Sequence, residues 1–224
     1  MDDRGLDRRV WLASTAGALV LAGGSLAAAK EDKDKKEADI PPTEDLMREH
    51  GVLRRILIVY DEAARRLAGD DAVALGVVVS AANIVRHFVE GYHERLEEQF
   101  VLPTLEKAGK LVEIAKTIRL QHVVGKHLTD AILAAARSKD RPGAVKAMQS
   151  FSRMYAAHAA WEDTEVFPAY RAMFSEAELD KLGDKFEDQE RKLLGGGGFE
   201  GSLREVGDLE KTLGIHDLAK FTPA

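Results

Sequence analysis

The chain has no cysteine, which excludes disulfides, iron–sulfur clusters and thiolate metal sites; any bound metal must be held by nitrogen and oxygen. Proline is scarce, with 6 residues in 224, and aromatic residues make up only 6%. With abundant Ala, Leu, Glu, Lys and Arg, little remains to interrupt helix. No stretch alternates apolar and polar residues as a half-buried strand would. Positive charge is not in excess: the net charge is −6, which argues against nucleic acid as a partner. A phosphate-cradling glycine loop and a nucleophile–base pair are also missing. What is present is ordinary for a soluble domain, 45% apolar and 31% charged, and it suits one domain with a sizeable core.

The first segment reads as an address. Asp7-Arg8-Arg9-Val10-Trp11-Leu12 leads into a moderately apolar run to Leu26, followed by Ala27-Ala28-Ala29. This resembles a twin-arginine export signal ending in a signal-peptidase site, over residues 1–29. It implies the Tat export machinery as a partner and a periplasmic or otherwise exported location. Membrane anchorage would follow only if the signal stays uncut. Residues 30–42 are charged, end in Pro41-Pro42, and read as a solvated linker.

Residues 43–194 carry apolar residues at helical period. The expected helices run from Leu46 to Leu67, Ala72 to Lys107 with a bend near Pro103, Leu111 to Arg137, and Ala144 to Met173. A shorter charged helix opens at Ser175 and ends near Leu194. Gly195 to Gly198 form a break, and Phe199 to Ala224 a weakly patterned tail. The expected architecture is all-α: an up-down-up-down four-helix bundle with an additional short C-terminal helix.

Two stretches repeat one pattern, His93-x3-Glu97-Glu98-x4-Pro103 and His158-x3-Glu162-Asp163-x4-Pro168. At 100° per residue, positions i and i+4 lie nearly above one another, so each His–Glu pair points at one spot. Imidazole with carboxylate suits iron, manganese or zinc, and two copies suggest a two-metal site. In the expected topology His50, His93, His122 and His158 lie one per helix, each roughly 10–20 Å from the same bundle end at 1.5 Å rise per residue. They can meet at one depth.

The segments LMREHGVL, EGYHERLEEQFVLPTL, LQHVVGKHL and AAHAAWEDTEVFPAY together resemble the hemerythrin-like family, the hemerythrin HHE cation-binding domain. The resemblance implies two non-haem iron ions. It also implies binding or sensing of dioxygen, nitric oxide or peroxide, and an unidentified redox partner. An oxidase, peroxidase or iron-handling enzyme is the alternative, and a metal sensor or chaperone holding zinc or manganese a further one. The ligand set it implies is His50, His93, Glu97, His122, His158 and Glu162, with Glu97 and Glu162 as bridging carboxylates. Asp163 is a rival to Glu162, because the oxygen carriers use an aspartate five residues after this histidine. Those carriers also have a histidine where Lys126 stands here; His127, a further candidate ligand, lies about 140° round from His122. Glu94 is a candidate to take the missing place.

Overall fold

Proline and glycine set where the helices begin and end. In this computed structural model, which describes residues 40–69, 75–195 and 197–223, the first helix is Pro42–Ala68. Pro42 stands in its first turn, where a missing N–H breaks no bond, and Glu44 faces the positive end of its dipole. Its buried face, including Leu46, Leu53, Ile56, Tyr60 and Ala63, recurs at helical spacing. A second rod covers 75–107, and the third helix is Val112–Ser138. Between them Gly109 and Leu111 take left-handed backbone, with φ of 68° and 48°, and turn the chain. A fourth rod covers 141–171 and a fifth helix is Glu176–Leu194. Ser175 and Glu178 open the fifth helix with a reciprocal capping box. The expected signal segment and nearly all of the linker fall outside the described residues.

The first helix packs along Arg141–Trp161, that segment along the third helix, and the third helix along Leu75–Ile84. All regular structure among the described residues is helical, and together these helices form a helical bundle. Tyr60 meets Phe151 edge-on at 5.4 Å and Phe151 stacks on Tyr155 at 4.3 Å. Tyr155 reaches its place because Gly125 faces it: a Cβ there would lie 2.0 Å from the Tyr155 hydroxyl.

The second and fourth rods widen into a π turn just before each repeated proline, at Glu97–Val101 and Glu162–Val166. Proline removes its own N–H and crowds the carbonyl four residues back, so α register cannot continue. Instead Leu102 N–H donates to the Glu97 carbonyl and Phe167 N–H to the Glu162 carbonyl, an i→i−5 pattern. A longer π segment, Val85–His93, precedes these in the second rod.

Two boundaries differ from expectation. The fourth rod starts at Arg141 rather than near Ala144, since Asp140 accepts from Gly143 N–H at 3.0 Å and Pro142 sits in the first turn, a favoured position for proline. The segment after the glycines is also a helix, Gly198–Leu213. It buries Val206 and Leu213 and packs on the first helix and Leu75–Ile84. Arg55 clamps it by donating to the two oxygens of Glu210 at 2.7 and 2.5 Å.

Candidate metal centre

Each rod contributes one histidine whose Nε2 points inward. His50 Nε2 lies 3.3 Å from Glu162 Oε2 and 3.0 Å from His93 Nε2. His93 Nε2 is 3.3 Å from Glu97 Oε1, and His122 Nε2 is 3.2 Å from Glu97 Oε2. His158 Nε2 is 3.0 Å from Glu162 Oε2. Two four-donor groups result: His50, His93, Glu97 and Glu162, and His122, His158, Glu97 and Glu162, each with donor atoms within 4.8 Å of one another. Glu97 and Glu162 belong to both. All six side chains are buried.

The outer ring nitrogens explain why the inner ones point where they do. His50 Nδ1 contacts Asp163 Oδ1 at 2.7 Å, His93 Nδ1 contacts Glu49 Oε2 at 2.7 Å, and His122 Nδ1 contacts Glu98 Oε1 at 3.1 Å. An ionised carboxylate only accepts, so in these three rings Nδ1 donates and Nε2 is turned to the interior, where it carries a proton or offers its lone pair to a metal ion. Gln121 Oε1 serves His158 Nδ1 in the same way at 2.9 Å. The arrangement has a twofold logic: exchanging the first rod with the third and the second with the fourth exchanges Glu49 with Gln121 and Asp163 with Glu98. Outer acceptors of this kind orient metal-binding imidazoles and raise their basicity.

The interior is short of positive charge. Both oxygens of Glu97, both of Glu162, and His122 Nε2 are buried without a hydrogen-bond partner in the folded chain. Two Nε2 lone pairs 3.0 Å apart, at His50 and His93, repel unless a proton or a metal ion stands between them. Protons respond accordingly. Burial works against the His93 and His122 cations, but Glu97 with Glu49 or Glu98 outweighs it, raising His93 well above its ordinary value and His122 to about 10. Burial drops His158 to about 4. Burial also lifts Glu162 to about 7, with Glu97 adding to it, whereas His93 and His122 overcome burial to hold Glu97 well below the carboxylate range. Orphaned carboxylate oxygens and converging imidazoles are what hard-to-borderline divalent cations satisfy. The donor set fits a pair of them.

The remaining candidates lie around this nucleus. Asp163 sits on the outer side of His50 and is also bound by Arg54. Glu94 is buried, taking the Tyr155 hydroxyl at 2.6 Å. His127 is exposed and joins neither four-donor group. Glu49, Gln121 and Tyr155 were not picked out by the motif. Glu49 and Gln121 have one signal, position, since each directly precedes a converging histidine; Tyr155, three residues before His158, has none of that kind. Phe167 stacks on His50 at 5.4 Å and walls one side.

Comparison with known proteins agrees with this geometry. The model of the hemerythrin HHE cation binding domain matches residues 42–193, spanning all four histidine-bearing rods. Uncharacterized proteins of Mycobacterium bovis and of two Mycobacterium tuberculosis strains, CDC 1551 and H37Rv, are each 43% identical to the chain. Each match covers 95% of this chain and 88% of the relative. No solved structure matches significantly. With four buried imidazoles sharing two carboxylates, and a family match over most of its length, the chain belongs to the hemerythrin HHE cation-binding domain family and carries a buried metal-ion-binding site of that kind.

Proposed function

We propose that this chain is an exported non-haem di-iron protein that binds or senses dioxygen, nitric oxide or peroxide, built on four rods of alternating direction. One observation carries the reading: two buried four-donor groups have both carboxylates in common. His50 and His93 would hold one ion and His122 and His158 the other, with Glu97 and Glu162 bridging. When bound, such a pair supplies two-electron chemistry and a place for a small exogenous ligand. The chain's own part is to fix imidazole tautomers through Asp163, Glu49, Glu98 and Gln121, and to exclude bulk water with Phe167, Tyr92 and Tyr155. Iron is favoured over zinc or manganese by family membership together with an all-nitrogen-and-oxygen donor set. The export reading rests on the paired arginines and apolar run of residues 7–29.

One observation favours an enzyme as the second reading. Lys126 occupies the position where the resembling oxygen carriers have a further histidine, so the ion at His122 and His158 would have only two imidazoles and be better suited to reacting than to carrying. Metal analysis of natively purified protein comes first, followed by visible absorbance of the reduced protein on aeration. About two irons per chain, with a band that fades on deoxygenation, supports reversible binding. Iron that is simply oxidised, with peroxide turnover lost in His93→Ala, moves the protein to the oxidase or peroxidase class. Stoichiometric zinc without iron removes both readings.

A further inference from the structure

Beside His122 a single lysine stands between two carboxylates. Lys126 lies one turn further along the third helix, with its Nζ 3.4 Å from Glu94 Oε2 and 3.4 Å from Glu98 Oε1. The two acids differ in what else holds them. Glu98 is partly exposed and anchors the outer nitrogen of His122. Glu94 is fully buried; its Oε1 takes the Tyr155 hydroxyl, and its Oε2 has no hydrogen-bond partner. Tyr155 in turn lies against the His158 ring at 5.1 Å, so Glu94 sits beside the half of the centre formed by His122 and His158. Glu94, Glu98 and His122 themselves form a third cluster of donors within 4.8 Å, and the lysine supplies its positive charge.

We propose that Lys126 is a positioning residue: its ammonium holds the Glu94 carboxylate away from the ion at His122 and His158, keeping a place there for an exogenous ligand. The proposal rests on the two-metal reading above. A carboxylate is a better ligand than water for a hard cation, and a buried side chain already beside His122 gives up little freedom in moving onto it. Against that pull stand the ammonium, whose attraction at an effective dielectric of about 20 is several times thermal energy, and the Tyr155 hydroxyl. A neutral residue in place of Lys126 removes the stronger restraint. Glu94 then becomes an internal competitor for the place an outside ligand would take.

Azide is the probe, read by the visible charge-transfer band of its complex with ferric ions in the full-length, iron-loaded protein. Lys126→Met keeps the length of the stem without the charge, Lys126→Arg keeps the charge, and Lys126→Met with Glu94→Gln removes the competitor as well. The expected result is equal iron content throughout, azide binding at least tenfold weaker in Lys126→Met, and near wild-type affinity in Lys126→Arg and in the double variant. Unchanged azide affinity in Lys126→Met overturns the proposal. So does a loss that Glu94→Gln does not reverse, because the lysine would then be attracting the anion directly. Loss of iron from Lys126→Met also counts against it, since the lysine would be holding the centre together. Wild-type protein without metal fails the two-metal reading itself, which is a separate result.

Discussion

A histidine's usefulness here is decided by the atom on its outer nitrogen. Three of the four imidazoles lean on a carboxylate, whereas His158 leans on the neutral amide of Gln121. A carboxylate raises ligand basicity more than an amide does, so the His122–His158 group should be the weaker of the two. Gln121→Glu is therefore expected to tighten the second, weaker metal-binding step by about tenfold, within the range such outer partners are worth. Competition with a chelator measures it, and an unchanged second step would show that the asymmetry has no effect on affinity. A different residue sets a pH dependence. Burial first, and Glu49 next, push the Asp45 carboxyl from 3.8 to about 6, with only Arg48 acting against them. A folded value above the unfolded one favours the protonated form. Asp45 therefore costs no stability below about pH 4, costs progressively more as pH rises, and costs most above about 6. Asp45→Asn should stabilise the protein at pH 7.5 by on the order of 1 kcal/mol, once the shift is discounted for partial exposure. It should change nothing near pH 4. Urea denaturation at the two pH values, with metal content matched, tests both halves.

At the scale of the element, the repeated His-x3-Glu spacing was legible because α geometry puts i and i+4 on one face, and Glu97 and Glu162 do face inward. Asp163, the rival to Glu162 on the resemblance to oxygen carriers, is found on the outer nitrogen of His50. The π turns were not legible, although their cause was visible. Pro103 announced a bend and Pro168 repeats its place, but whether a helix kinks, ends or adds a residue to its turn depends on packing that no pattern of residue types records. The helix Gly198–Leu213 was missed for a related reason. Gly201 and Gly207 dilute its apolar stripe, and docking on the first helix, with Arg55 clamping Glu210, supplies what propensity lacks. The π turns carry a prediction. Each begins at a carboxylate common to both four-donor groups, so it sets the angle at which that side chain leaves its helix. Pro168→Ala would let α register run through, rotating Glu162 away from its present direction. Metal affinity should fall by roughly tenfold or more, of the order seen when ligand orientation is lost. The metal-free protein should melt no lower than wild type, because a helix-interior proline has been removed. A melting temperature that falls along with affinity would mean the proline serves the fold and not the site.

The whole molecule folds around a layer that opposes folding. Six buried side chains with acid and imidazole character are desolvated together, and in the absence of metal the charge balance depends on protons held by His93 and His122. The apolar layers on either side, with Tyr60, Phe88, Phe151 and Tyr170 among their largest members, supply the driving force, and the centre draws on it. That convergence of four histidines at one depth was readable from helix spans and an assumed alternation of helix direction, whereas the proton balance needed coordinates, because it depends on distances near 3 Å. Metal ions reverse the sign of the central layer. An ion that binds only the folded chain adds about 4 kcal/mol when its free concentration is a thousandfold above its dissociation constant. For a chain of this size each kcal/mol moves the midpoint by roughly 2–4 °C. Stripping both ions with a chelator should therefore lower the melting temperature by at least about 10 °C. Helical content at room temperature should hardly change, since the apolar layers are untouched. Restoring ferrous iron anaerobically should return the midpoint, and Glu97→Ala, which removes a carboxylate common to both groups, should abolish the gain. Identical melting curves with and without metal would mean that these six side chains do not form a cation site, however well their geometry matches one.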